Sequence, residues 1–175
     1  KLIGARYFYK GYEASSGIKL NASEVSVRDY EGHGSHTLST AGGNFVAGAS
    51  VFGFGNGTAS AGSPKARVAA YKTCWPDCAD ADILAAFEAA ISDGVDVISM
   101  SLGSDEPPEY FQSPISIGSF HAVANGITVV GSGGNSGPSP GTVSNNEPWM
   151  LTAAASTIDR DFASHVTLGD KKILK

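Results

Sequence analysis

The chain has 175 residues, 12 Lys+Arg against 17 Asp+Glu, a formal charge of −5 and a pI near 5.2. An acidic chain whose one basic run is Lys171-Lys172-Ile173-Leu174-Lys175 lacks the electrostatic footprint of a nucleic-acid binder or a polybasic membrane adaptor. Hydrophobic residues at 42% and charged at 17% fit a packed globular domain rather than disorder, and no apolar run approaches the ~20 residues of a membrane helix.

A chain of this length buries roughly 70% of the surface its unfolded form exposes, enough for one core, so a single domain over residues 1–175 is expected. It opens on Lys1 with neither an apolar signal core nor a cleavage site, and its end carries no capping chemistry. That reads as a piece of a longer chain. The 22 glycines, nearly twice the usual ~7% share, punctuate apolar runs and predict a loop-rich fold.

In chain order, His33 stands between glycines and opens a helix-compatible run over residues 37–43, and residues 52–63 are so rich in Gly, Ser and Asn that they predict a loop. Residues 67–72 form a short apolar run bounded by Ser63-Pro64 and Trp75-Pro76, the pattern of a buried strand. Residues 80–93 predict a helix, with Ile83, Leu84, Phe87, Ala90 and Ile91 at helical spacing and Gly94 closing it. A strand is expected over 95–102, stopped by Gly103 and Pro107-Pro108, then a helix over 114–124 ended by Gly126. Strands over 127–130 and 150–155 follow. Strands alternating with helices of this length imply right-handed crossovers and a parallel sheet covered by helices on both faces, hence an α/β fold.

Ligands of open parallel sheets bind at the carboxyl ends of the strands, which here read Ser99-Met100-Ser101-Leu102-Gly103 and Gly131-Ser132-Gly133-Gly134-Asn135. Glycine admits close backbone approach, and an Asn there can aim an amide donor at a ligand. Ordinary strand-to-loop turns would read the same way. His33 suits a general base for a hydroxyl nucleophile, although a lone His is more often structural. A metal shared by His33 and His36 is disfavoured, with no Glu between them, no Cys nearby and two other histidines in the chain. The one formal G-x-S-x-G match, Gly137-Pro138-Ser139-Pro140-Gly141, is rejected because its prolines remove the amide donors and fix φ where an elbow needs a strained strand-to-helix turn. No phosphate loop opens any expected helix, which disfavours a nucleotide-binding α/β protein.

These residues resemble the subtilisin-like serine proteases (subtilases, peptidase family S8), and among them the cucumisin-like plant members. Gly32-His33-Gly34-Ser35-His36-Thr37 is similar to the family's G-H-G-T-H-T, and Gly134-Asn135-Ser136-Gly137-Pro138 matches its G-N-S-G-P. Residues 1–8, 66–75, 80–94 and 95–103 resemble plant members in order and spacing. The resemblance implies that His33 is the triad base, that Asn135 supplies the side-chain donor of the oxyanion hole, and that His36 is structural. It implies that Ser101, Leu102 and Gly103, opposite Ser132, Gly133 and Gly134, pair with a protein or peptide substrate in extended conformation. Ser35 replaces the usual Thr and keeps the hydroxyl, and Gly133 stands where Ala is common, which would loosen the cleft wall.

In the family an Asp orients the His, and a Ser in a G-T-S-M motif attacks the peptide bond; neither motif occurs in these 175 residues. Asp29 falls in the loop of the family's R-D-x-x-G-H rather than in the triad. The resemblance therefore implies an incomplete subtilisin-like domain, inactive by itself, from a serine endopeptidase whose signal peptide and prodomain lie upstream. Residues 166–170 resemble the run-up to the protease-associated domain that plant members insert.

Cys74 and Cys78 could form a small-loop disulfide, a partial metal site or two free thiols; the family's secreted setting favours the disulfide. Asn21-Ala22-Ser23 and Asn56-Gly57-Thr58 are glycosylation sequons in loop-like context, in keeping with an extracellular protein of the apoplast or cell wall. No cofactor is expected and no metal is assigned, since no acidic cluster has oxygen-ligand spacing. Oligomeric state is left open. The competing reading is a non-catalytic subtilase relative, a peptide-binding module that keeps the cleft without the triad.

Overall fold

The computed structural model describes residues 1–75, 77–104, 108–157 and 164–174; Pro76 and Pro107, read above as boundaries, lie outside them. In chain order the elements are β1 (Leu2–Tyr7), α1 (Lys10–Ser16), α2 (His33–Gly42), β2 (Val46–Val51), β3 (Phe54–Ala59) and β4 (Val68–Lys72). Then come α3 (Asp80–Ser92), β5 (Val97–Met100), a 3-10 turn (Tyr110–Gln112), α4 (Pro114–Ala124), β6 (Thr128–Ser132), β7 (Leu151–Ala153), β8 (Val166–Thr167) and β9 (Ile173–Leu174). Two parallel ladders, β1–β4 and β5–β6–β7, carry the α/β architecture; β2–β3 and β8–β9 are antiparallel pairs.

The core forms where helical and strand periodicities meet. Ile83 and Phe87 lie one turn apart on α3, Ile115 and Ala122 face them from α4, and Ile127 and Val129 come from β6 and the residue before it. Met150 closes the cluster, with Ile98 and Met100 of β5 packed against it. On β6, Val129 and Gly131 are buried while Thr128 is exposed, the alternation of a half-buried strand. At Gly118 the helices approach so closely that a methyl group would overlap the Phe87 ring.

Helix ends are set by local chemistry. Pro114 occupies the first turn of α4, where its missing N–H costs nothing, and Ser113 Oγ accepts from Ser116 N at 3.1 Å. α1 has no side-chain cap at its N-terminus; the buried Asp82 carboxylate of α3 accepts from Gly11 N at 2.9 Å and Tyr12 N at 2.8 Å instead.

Residues 52–59 are not the loop their composition suggested, whereas 60–63 are in no helix or strand. β3 pairs with β2 as a hairpin whose two-residue turn, Phe52 (φ 51°) and Gly53 (φ 86°), lies between the paired Val51 and Phe54. Two consecutive positive φ values are the backbone of a type I′ turn, which matches strand twist. Gly48 and Gly55, also at positive φ, sit at the two register shifts. The glycines there bend a hairpin rather than dissolve it. β1 and α1 also carried no periodic signal; β1 takes its place by parallel pairing with β4.

Candidate active site

His33 is the first residue of α2, and the turn before it is fixed by carboxylates. The Asp29 side chain accepts from Gly32 N at 2.8 Å, Glu31 N at 3.2 Å, Ser35 N at 2.8 Å and Ser35 Oγ at 2.7 Å. Glu31 Oε2 accepts from His33 N at 3.0 Å. Two anions thereby satisfy amides that a helix start leaves open, and they complement its dipole. Hydrogen bonds from the Gly32 amide and the Ser35 hydroxyl and amide hold the Asp29 carboxyl down at about 2. Gly32 at φ 101° makes the turn possible. His33 and His36 are both exposed.

The loop bearing Asp29 is tied to the end of β4. Lys72 Nζ donates to Arg28 O at 2.8 Å and lies 3.7 Å from the Trp75 ring centroid and 5.2 Å from that of Tyr30. Burial lowers the Lys72 pKa against the opposing pull of Asp29. Trp75 Nε1 donates to Phe8 O at 2.7 Å, and its ring meets Tyr7 and Tyr9 edge-on. Cys74 and Cys78, Cα atoms 4.1 Å apart, are joined by a disulfide around this turn.

The other candidate segments lie at the carboxyl ends of β5 and β6. The parallel register ends at Met100↔Gly131, and residues 101–103 and 132–134 continue beyond it. Gly133 N donates to Ala153 O at 2.8 Å and Gly133 O accepts from Ser144 N at 3.2 Å, so this segment is pinned from two sides. A Cβ at Gly133 would make only ordinary contacts with Ala153, Ala154 and Thr152. Asn135 follows Gly134 (φ 81°) on an exposed stretch. The rejected 137–141 segment is an exposed turn with a cis Gly137–Pro138 bond, not a strand-to-helix elbow.

Composition and motifs missed the residue that joins the two strand ends. Asn145 Nδ2 donates to Leu102 O at 2.7 Å and to Ser132 O at 2.9 Å. Nothing in Ser144-Asn145-Asn146 marks it in the sequence. The structure thus unites 101–103 with 132–134 through Asn145, whereas His33 belongs to α2, which packs on β4. Among the described residues no group of three or more His, Cys, Asp or Glu side chains could hold a metal, and no helix is long and apolar enough to cross a membrane.

A fold of parallel strands with a His-led helix and a glycine-lined strand edge has known counterparts. The family model described as the Subtilase family matches residues 7–167. The chain is 63% identical over 180 residues to the subtilisin-like protease SBT5.4 and 62% identical over 180 residues to SBT5.3, both of Arabidopsis thaliana, covering 100% of this chain and 23% of each relative. It is 55% identical over 181 residues to the subtilisin-like protease Glyma18g48580 of Glycine max, covering 99% of this chain and 23% of that protein. Among solved structures, the S41 psychrophilic protease matches 86% of this chain and 51% of its own at 23% identity and a TM-score of 0.57, a likeness of fold. The chain belongs to the subtilase family. It spans about 23% of the length of these plant relatives.

Proposed function

We propose that the protein acts in a subtilisin-like serine endopeptidase, with His33 as general base, Asn135 as oxyanion donor, and residues 101–103 and 132–134 as the edges that receive an extended peptide. The observation that carries this reading is the pair of strand ends running on past the β5–β6 ladder, linked to each other through one side chain and bordered by Gly103, Gly133 and Gly134. The glycines remove side chains from the edge at those positions, which suits close approach of a substrate strand. In such a reaction the His takes the proton of a Ser nucleophile, and an amide donor placed at the carbonyl oxygen stabilises the tetrahedral oxyanion.

Residues 1–175 are, on this proposal, part of one peptidase domain, and the Asp and Ser partners of His33 lie elsewhere in the polypeptide. The chain by itself then hydrolyses no peptide. A secreted, apoplastic protein, with its Cys74–Cys78 link kept oxidised and Asn21 and Asn56 glycosylated, fits the same reading; both asparagines are exposed.

A fluorophosphonate probe, which labels an activated Ser, tests the assignment on the full-length parent. Labelling that His33→Ala abolishes is the expected result. An intact, folded parent that takes no label would instead make the cleft a peptide-binding module without a nucleophile.

A further inference from the structure

Resting on the assignment of 101–103 and 132–134 as substrate edges, we propose that Asn145 is a positioning residue that sets the spacing between those edges and so governs affinity for extended peptides. Cross-strand pairing cannot do this, because the register ends at Met100↔Gly131. Beyond that point the carboxamide of Asn145 takes over, with one donation to Leu102 O at 2.7 Å and another to Ser132 O at 2.9 Å. Both partners are carbonyls, so only the nitrogen of the amide can face them, and both of its protons are used.

The clamp is held at the Asn145 side-chain amide, at its backbone carbonyl and at the residue before it. The residue is 6% exposed, its backbone carbonyl accepts from Thr152 Oγ1, and Ser144 N before it donates to Gly133 O. Its φ of 53° lies in the left-handed region, which Asn tolerates better than most residues. Farther along the same loop, Glu147 accepts from the buried Ser116 hydroxyl, and Trp149 Nε1 donates to Ser119 Oγ at 2.9 Å, anchoring the loop to α4. Ser144 Oγ occupies the space between Gly103 and Gly134, within about 3 Å of where a Cβ on either would stand. Bulk is thereby excluded from both edges while the amide fixes their separation.

Asn145→Asp keeps the shape but turns a double donor into an acceptor facing two carbonyls, and Asn145→Gly removes the clamp while favouring the positive φ. In the full-length parent, both variants are expected to weaken binding of a non-hydrolysable extended peptide by about tenfold or more, read by calorimetry. Turnover of a single-residue ester, which does not span the edges, should fall by a clearly smaller factor than peptide affinity. A merely structural role would lower both together. Equal losses on peptide and ester, or wild-type peptide affinity in both variants, would overturn the proposal; if the Asp variant does not fold, the Gly variant decides. A wild-type parent that binds the peptide but leaves the ester intact would remove the protease reading while the affinity comparison still decides the role of Asn145; one that binds no peptide overturns both.

Discussion

At the scale of single residues, the site depends on polar side chains that replace missing backbone partners. Asp29 does so for the first turn of α2, and its pKa near 2 makes the effect pH-dependent. A carboxyl held below its unfolded value of about 3.9 stabilises the fold above that value and loses its contribution as pH falls through about 2. Acid titration followed by NMR should therefore show the Gly32 and Ser35 amides shifting together with a midpoint near pH 2. The substitution Asp29→Asn, which leaves nothing to titrate at that position, should abolish the coupled transition; an Asp29 midpoint near 4 in the native protein would refute the capping role. Asp82 serves α1 in the same way from a neighbouring helix. The family motif gave Asp29 a place in the loop, but its hydrogen bonds follow from the turn at Gly32, which no spacing rule displays.

At the scale of elements, helix α3 was legible from apolar residues at helical spacing, and helix α4 and strand β6 from apolar runs bounded by Pro and Gly. Their expected bounds, 80–93, 114–124 and 127–130, fall close to the observed Asp80–Ser92, Pro114–Ala124 and Thr128–Ser132. The α3–α4 contact depends on the absence of a side chain at Gly118, against which the Phe87 ring lies. Gly118→Ala has better helix propensity and yet should destabilise the fold by about 1–3 kcal/mol through overpacking. Thermal unfolding of the full-length variant checks this, and an unchanged or raised midpoint would show that the ring can yield. The β2–β3 hairpin escaped the sequence reading because its residues bury no face. Val46, Val51, Phe52 and Phe54 are all more than half exposed, so neither hydrophobic alternation nor depletion of glycine marks the strands. Its order comes from turn geometry and cross-strand pairing alone.

For the whole molecule, exposed apolar side chains are numerous. Leu2, Ile3, Phe45, Phe52, Val97, Phe111 and Leu151 are each more than half exposed, and β1 and β5 carry them on sheet strands. Exposed apolar strands invite edge-to-edge association, so residues 1–175 expressed alone should form concentration-dependent oligomers in light scattering. A monomer that unfolds cooperatively would contradict this. Sequence alone determined the α/β alternation, the family resemblance, and the local placement of His33 at a helix start and Asn135 after a strand. Those features reside in short-range periodicity and contiguous motifs, where one stretch of chain holds all the information. Only the tertiary structure decided that Asn145 joins Leu102 to Ser132, that Asp82 caps a helix 70 residues earlier, and that Lys72 holds the loop before His33. Each of these is a hydrogen bond between groups distant in sequence, and a donor finds its acceptor only after the core has packed and brought the two together.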